Sequence, residues 1–215
     1  MYKKKPLLIV FEGVEGCGKS YQSNKLFNKL KRRKIDCILT REPGGTKSSE
    51  LIRNLILKDY FAKDSKEKFD KYTDTLLYLA ARNEHIKNKI KPALLKKKIV
   101  ICDRFIDSTI AYQVYGKKVE LNFIKNIHNK ILRGIKPNIV FLLKVSNESS
   151  RKRLRKRKIK NRYDKFAQSF YNKAQNSFIK IAKNKKNYFI LDSSSNDSFL
   201  EHKVFDICKK YLNIK

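Results

Sequence analysis

Leu7-Leu8-Ile9-Val10-Phe11-Glu12-Gly13-Val14-Glu15-Gly16-Cys17-Gly18-Lys19-Ser20 decides the fold. Its five leading apolar residues read as a strand buried on both faces. Gly13 to Ser20 then has the spacing G-x-x-x-x-G-K-S. That spacing has a mechanism. The glycines let backbone N–H groups wrap a phosphate, and the following helix points its positive end at it. Lys19 reaches the outer phosphate oxygens, and the Ser20 hydroxyl stands where Mg²⁺ binds. The motif requires a strand before and a helix after. Leu26, Phe27 and Leu30 supply the apolar spacing of that helix, expected from about Lys19 to Lys31.

Four further apolar runs, Asp36–Leu39, Ile99–Cys102, Asn138–Val145 and Asn187–Leu191, alternate with helically spaced stretches such as Leu51, Ile52, Leu55 and Ile56. Strands alternating with helices predict a doubly wound α/β domain around a five-stranded parallel sheet. No long repeat and no Gly/Ser- or Pro-rich linker divides the chain, so residues 1–215 read as one domain. Its one sharp shift in composition is Arg151–Lys160, basic except for Leu154 and Ile159. A basic segment inserted late in such a domain reads as a lid over phosphates, at about 150–165.

Composition narrows the function. No apolar run approaches the roughly 18 to 20 residues that cross a bilayer, and Glu12 cuts the N-terminal run too short for a signal peptide. Cys17, Cys37, Cys102 and Cys208 form no C-x-x-C pair, so neither a zinc site nor a disulfide framework is expected, and the cytoplasm is the expected compartment. The chain carries 52 Lys and Arg against 20 Asp and Glu, a formal net charge of +32. Such an excess suggests either a polyanion partner or a bias of the whole surface. Position favours the second: Lys29–Lys34, Lys96–Lys98 and Lys183–Lys186 are scattered, and the run Arg151–Arg162 lacks the interleaved aromatics of single-strand binders. No specific nucleic-acid partner and no membrane is expected.

A phosphate loop leaves open where the phosphoryl group goes. The next strand ends in Thr40-Arg41-Glu42-Pro43-Gly44-Gly45-Thr46, which sets a cation and a tight turn in the crevice where open α/β sheets bind ligands. Tyr78 and Arg82 lie four residues apart, one ring and one guanidinium on a single helix face. Asp103 and Arg104 end a third strand, placing a carboxylate near a metal and a fork suited to an anionic acceptor. Ser108-Thr109 and Ala111-Tyr112-Gln113 follow. His85, His128 and His202 fall in no constellation and are expected to be packing or surface residues.

Together these elements closely resemble the thymidylate kinases, which phosphorylate dTMP with ATP. The resemblance runs over nearly the whole chain and rests on Thr40–Thr46 and Asp103–Gln113 more than on the phosphate loop. It implies that Gly13, Val14, Glu15, Gly16, Cys17, Gly18, Lys19, Ser20 and Arg153 hold the ATP phosphates. It implies Mg²⁺ at Ser20, Glu15 and Asp103, with Glu15 also near the sugar 3′-hydroxyl. Arg41, Arg53 and Arg104 would surround the dTMP phosphate, with Pro43 shaping the pocket through a cis peptide. Tyr78, where the family commonly has Phe, would stack on thymine and Arg82 would bond its carbonyl edge. Ser108, Thr109 and Gln113 would line base and sugar, and Tyr112 would crowd the 2′ position.

One class of the family carries its transition-state arginine in the phosphate loop, the other in the lid. Gly16 follows Glu15 here, which implies the lid class, with Arg153, Arg157 and Arg162 as candidates and Arg157 favoured. Arg162 matches the D-R-x-E lid signature, although the stretch reads Asn161-Arg162-Tyr163-Asp164. Lys19, Glu15, Arg104, Arg157 and Arg162 are thus the expected catalytic set. The resemblance also implies a homodimer. Another nucleoside or nucleotide kinase of the same fold and a nucleic-acid-binding P-loop ATPase remain the alternatives.

Overall fold

The computed structural model describes residues 5–58, 67–156, 167–195 and 197–214. Five strands form one parallel sheet: β1 (Leu7–Glu12), β2 (Cys37–Arg41), β3 (Ile99–Asp103), β4 (Ile139–Lys144) and β5 (Tyr188–Asp192). Their order is β2-β3-β1-β4-β5, which places β1 at the centre. The chain leaves β1 toward one edge and later crosses to the other, so the carboxyl ends of β1 and β3 border a topological switch point.

Alternation along β1 divides the core in two. Leu7, Ile9 and Phe11 pack with Leu26 and Leu30 of α1 (Lys19–Arg32) and Phe178 of α8 (Gln168–Ala182). Leu8 and Val10 face Ile86, Ile90 and Phe105 on the opposite side. The four cysteines are free and buried. No helix among the described residues is long and apolar enough to cross a membrane.

The strands depart from the sequence reading at their ends. Glu12, Arg41 and Asp103 are strand residues, with Phe11 and Arg41 both in register with Asp103. Apolar runs underestimate such strands because the ladder is built from backbone groups, which polar residues supply equally well. This extension brings the site's charged residues onto rigid strand ends.

Around the sheet lie α2 (Lys47–Leu57), α3 (Lys71–His85), α4 (Lys91–Leu95), α5 (Ile106–Thr109), α6 (Leu121–Ile131), α7 (Asn147–Arg155) and α9 (Ser198–Leu212). Wider π-helical segments at Ile86–Ile90 and Ile110–Gly116 continue α3 and α5. The basic run opens as an ordered helix: Ser146 caps α7 by accepting from the Ser149 N–H. Lys152, Arg153 and Arg155 occupy its last turn, where cations oppose the helix dipole.

Candidate active site

The phosphate loop is held by its own lysine. Lys19 Nζ donates to the carbonyls of Gly13 (2.9 Å) and Val14 (2.7 Å). Gly16 has φ 72°, and a Cβ there would stand 2.8 Å from the Ser150 carbonyl oxygen, so the approach of α7 requires glycine. That approach is reinforced twice. Ser150 Oγ donates to the Glu15 carbonyl at 2.9 Å, and Arg153 donates to the carbonyls of Gly16 (3.0 Å), Ser193 (2.8 Å) and Ser194 (2.5 Å). Val14 and Cys17 bury their side chains in the core, and Cys17 Sγ also accepts from Lys19 Nζ at 3.5 Å.

Ser20 Oγ donates to Asp103 Oδ2 at 2.5 Å, joining the start of α1 to the end of β3. These adjacent hard oxygens suit Mg²⁺, which takes few protein ligands and keeps several waters. No cluster of three or more His, Cys, Asp or Glu side chains arranged for a metal occurs among the described residues. Glu15, expected beside that metal, faces elsewhere. Its Oε1 accepts from Arg104 Nη2 at 2.8 Å and its Oε2 from the Tyr112 hydroxyl at 2.5 Å. Burial works to raise its pKa, but Arg104 and Lys19 outweigh that and hold the carboxyl below its ordinary range. Burial and the Glu15 charge push the Tyr112 phenol well up, which keeps it a donor.

One cavity of about 450 Å³ collects most of the expected residues. Its lining includes the donor-phosphate set Glu15, Gly16, Gly18, Lys19, Ser20 and Arg153. It also includes Arg41, Pro43, Arg53, Asp103 and Arg104, and Tyr78, Arg82, Ser108, Thr109, Tyr112 and Gln113. The Glu42–Pro43 peptide is cis, as the resemblance implied. Arg157 and Arg162 lie outside the described residues.

Arg41, Arg53 and Arg104 are held by neighbours that an anion can outbid. Arg41 Nη2 meets both carboxylate oxygens of Glu50 at 3.2 and 3.1 Å, at the surface. Arg53 Nη1 donates to the Pro43 carbonyl at 2.6 Å, and burial together with the Arg41 charge lowers its pKa. Two cations repelling one another across a cavity are a site made for a negative ligand. Arg104, with φ 71°, donates to the Gly13 carbonyl (2.9 Å) and Ser108 Oγ (3.0 Å), and its guanidinium lies 5.3 Å over the Tyr112 ring.

Arg82 differs from the expectation. It was expected to offer its donors to a base carbonyl, yet its guanidinium is buried and each of its three nitrogens already has a partner. Nε donates to Glu42 Oε2 at 2.7 Å. Nη1 donates to Thr109 Oγ1 and His128 Nε2, both at 2.8 Å. Nη2 donates to the Phe105 carbonyl at 2.7 Å and lies 2.7 Å from Glu42 Oε2. The physical reason is Glu42. A buried carboxylate needs a cation, and Arg82 is the cation that α3 brings to it. A base carbonyl must therefore share or displace one of these partners.

Two histidines belong to this network, contrary to the expectation that none joins a constellation. His85 Nδ1 lies 3.0 Å from Glu42 Oε1 and its Nε2 lies 2.7 Å from Thr40 Oγ1. Burial works to raise the Glu42 pKa, but Arg82 and His85 outweigh it and hold the carboxyl low. A Cβ on Gly45, at φ 94°, would stand 2.6 Å from His85 Nε2, so the second glycine of the turn makes room for that ring. Tyr78, Arg82 and His85 share one helix face by their spacing, a signal available in the sequence. His128 carried none. Glu12 was also missed: it is buried, accepting from Phe105 N (2.8 Å), Ser108 N (3.3 Å) and Ser108 Oγ (2.6 Å). Burial first, then Asp107, raises its pKa to about 7.

The chain is similar to known proteins over most of its length. The family model described as thymidylate kinase matches residues 11–204. A thymidylate kinase of Aster yellows witches'-broom phytoplasma (strain AYWB) is 39% identical over 210 residues, 96% of each chain. That of Wolbachia pipientis wMel is 42% identical over 178 residues, 82% of this chain and 85% of that one. The crystal structure of thymidylate kinase from Ehrlichia chaffeensis aligns with a TM-score of 0.74 at 31% identity, covering 95% of this chain and 99% of that chain. With the phosphate loop, the cis-proline turn and the Asp103–Arg104 strand end all converging on one cavity, this chain belongs to the thymidylate kinase family.

Proposed function

We propose that this chain transfers the γ-phosphoryl group of ATP to dTMP, giving ADP and dTDP. One observation carries the reading: a single cavity is lined by the phosphate loop, by Arg41, Arg53 and Arg104, and by Tyr78, Arg82 and Gln113. Groups for two phosphates and a base around one cavity are what nucleotide-to-nucleotide transfer needs.

Lys19 exchanges its hold on the Gly13 and Val14 carbonyls for the outer oxygens of the donor. Arg41, Arg53 and Arg104 fix the acceptor phosphate for in-line attack; that phosphate is already anionic, so no strong base is required. Ser20, with Asp103 hydrogen-bonded behind it, would hold Mg²⁺, which would supply neutralisation of the donor-phosphate charge. Glu15 and Tyr112, bonded to each other, wall the sugar. Tyr78 offers its ring to the base. Gln113 Nε2 is buried without a hydrogen-bond partner among the described residues, a donor left for a base or sugar oxygen.

The chain acts as one kinase domain, with residues of about 150–165 as its lid and Arg157 and Arg162 as the lid arginines. The ties of Ser150 and Arg153 to the phosphate loop support this, because they couple α7 to the donor site. A homodimer is supported by Leu51 and Leu55 on α2 and Leu76 on α3, which are 70%, 44% and 46% exposed on two packed helices. The cytoplasm, where ATP is available and thiols stay reduced, suits the four free cysteines.

Coupled ADP release with dTMP, dUMP, dCMP, UMP and no acceptor tests the reading. Fastest release with dTMP is expected. Faster release with another monophosphate, or release stimulated only by DNA, contradicts it.

A further inference from the structure

Glu12 ends β1 and is buried, and it is not among the residues lining the cavity. Its partners explain why a carboxyl group sits there. Phe105, which opens α5, has no side-chain oxygen with which to cap the free N–H groups of that segment. Glu12 supplies the cap from a different element: Oε1 accepts from the Phe105 N–H at 2.8 Å and from the Ser108 N–H at 3.3 Å. Its other oxygen, Oε2, is bonded to Ser108 Oγ at 2.6 Å. That same Oγ accepts from Arg104 Nη1 at 3.0 Å, because a guanidinium only donates. Carboxyl, hydroxyl and guanidinium thus form one chain from a buried strand end to a cation on the cavity wall.

Arg104 depends on such support in two ways. Its backbone lies at φ 71°, which a residue other than glycine keeps only where its surroundings hold it, and Glu12 fixes the N–H of the very next residue. Its side chain is drawn to Glu15, with Nη2 at 2.8 Å from Oε1, while Ser108 Oγ and the Gly13 carbonyl hold Nη1. We propose that Glu12 is a positioning residue for the acceptor phosphate: through Ser108 and the start of α5 it keeps the Arg104 guanidinium from turning fully onto Glu15. Once Ser108 is released, the guanidinium can give both outer nitrogens to the Glu15 carboxylate, and an incoming phosphate must compete for it. Glu12 does this without touching either substrate. The inference rests on the dTMP reading given above.

The test compares steady-state kinetics of wild type, Glu12→Met, Ser108→Ala, the double variant and Glu12→Gln, with dTMP and ATP varied in turn. Glu12→Met keeps the length of the side chain and removes both acceptors. Each single change, Glu12→Met or Ser108→Ala, should raise the KM for dTMP about tenfold, the size expected when a charged donor loses its partner, with the KM for ATP within about twofold. The double variant should stay within about twofold of the worse single one, because both changes break one chain. Glu12→Gln should recover most of the loss. Its amide oxygen can accept from the two N–H groups, and its amide nitrogen can donate to Ser108 Oγ, which has lone pairs for both that donor and Arg104. Should Glu12→Met fail to fold, Glu12→Asp replaces it: it keeps a carboxylate but withdraws it from Ser108 by one methylene, and should raise the dTMP KM several-fold.

An unchanged dTMP KM in the folded variant, Glu12→Met or Glu12→Asp, overturns the proposal. So do equal rises for dTMP and ATP, a double variant whose rise is the product of the single ones, or a glutamine variant as impaired as methionine. Wild-type protein that leaves dTMP unphosphorylated overturns the functional reading and this inference together, whereas normal wild-type turnover beside unaffected variants overturns the inference alone.

Discussion

The two ends of the cavity hold their cations differently. At the donor end, Lys19 and Arg153 rest on backbone carbonyls, neutral partners that give way to a phosphate. At the base end, Arg82 is enclosed by a carboxylate, a hydroxyl, an imidazole and a carbonyl, and is 3% exposed. A cation that must meet successive ligands is held loosely, and one that must define a shape is held on all sides. Positive charge alone therefore says little about role in a chain with 52 Lys and Arg. The partner decides.

Removing the cation should accordingly cost different things at each end. Arg82→Ala strips Glu42 of its buried countercharge and should lower unfolding stability by about 3–5 kcal/mol, read by denaturant titration. A loss below about 1 kcal/mol would mean the network relaxes freely. Lys19→Ala should leave stability within about 1 kcal/mol of wild type but lower kcat by about 10²–10³-fold, the usual size for a lost transition-state contact. Retained turnover would show that the phosphate loop serves another purpose. Arg153→Ala lies between the two, since it unties α7 from Gly16. A rise of about tenfold in the KM for ATP with little change for dTMP is expected, and equal changes would deny that the two ends act separately.

A further effect concerns pH. Glu12 has a folded pKa of about 7 against an ordinary 4.5, so the native state binds its proton more tightly than the unfolded chain does. Its contribution to stability is full below about 4.5 and is lost as pH rises through 7. Asp107, also raised chiefly by burial, acts with the same sign. Glu15 and Glu42, held low, act oppositely, and lose their contribution as pH falls below 4.5. Unfolding stability should therefore decline by about 2 kcal/mol from pH 5 to 8, and Glu12→Gln should flatten the decline. An equal slope in wild type and variant would remove Glu12 as its source.

The same contrast explains what the sequence disclosed. The donor end was legible because its chemistry is contiguous: Gly13 to Ser20 spells out glycines, lysine and hydroxyl in the order in which a phosphate meets them. The strand ends Arg41, Asp103 and Arg104 were legible for the related reason that a buried strand delivers its last residue to the crevice. The base end was not. Glu42, Arg82 and His128 come from a turn and two helices far apart in the chain, and only packing joins them. His85 follows Arg82 at helical spacing and was open to inference, yet without Glu42 in view nothing assigned it a partner. The wider π-helical turns after α3 and α5 were equally hidden, because apolar spacing alone does not distinguish them from α-helix.

The central claim is phosphoryl transfer between two nucleotides in one cavity, and ³¹P NMR of the protein with ATP, Mg²⁺ and dTMP tests it most directly. The account predicts that dTDP and ADP resonances grow together in equal amounts, with no accumulation of inorganic phosphate. Loss of ATP to inorganic phosphate with dTMP left intact would contradict it.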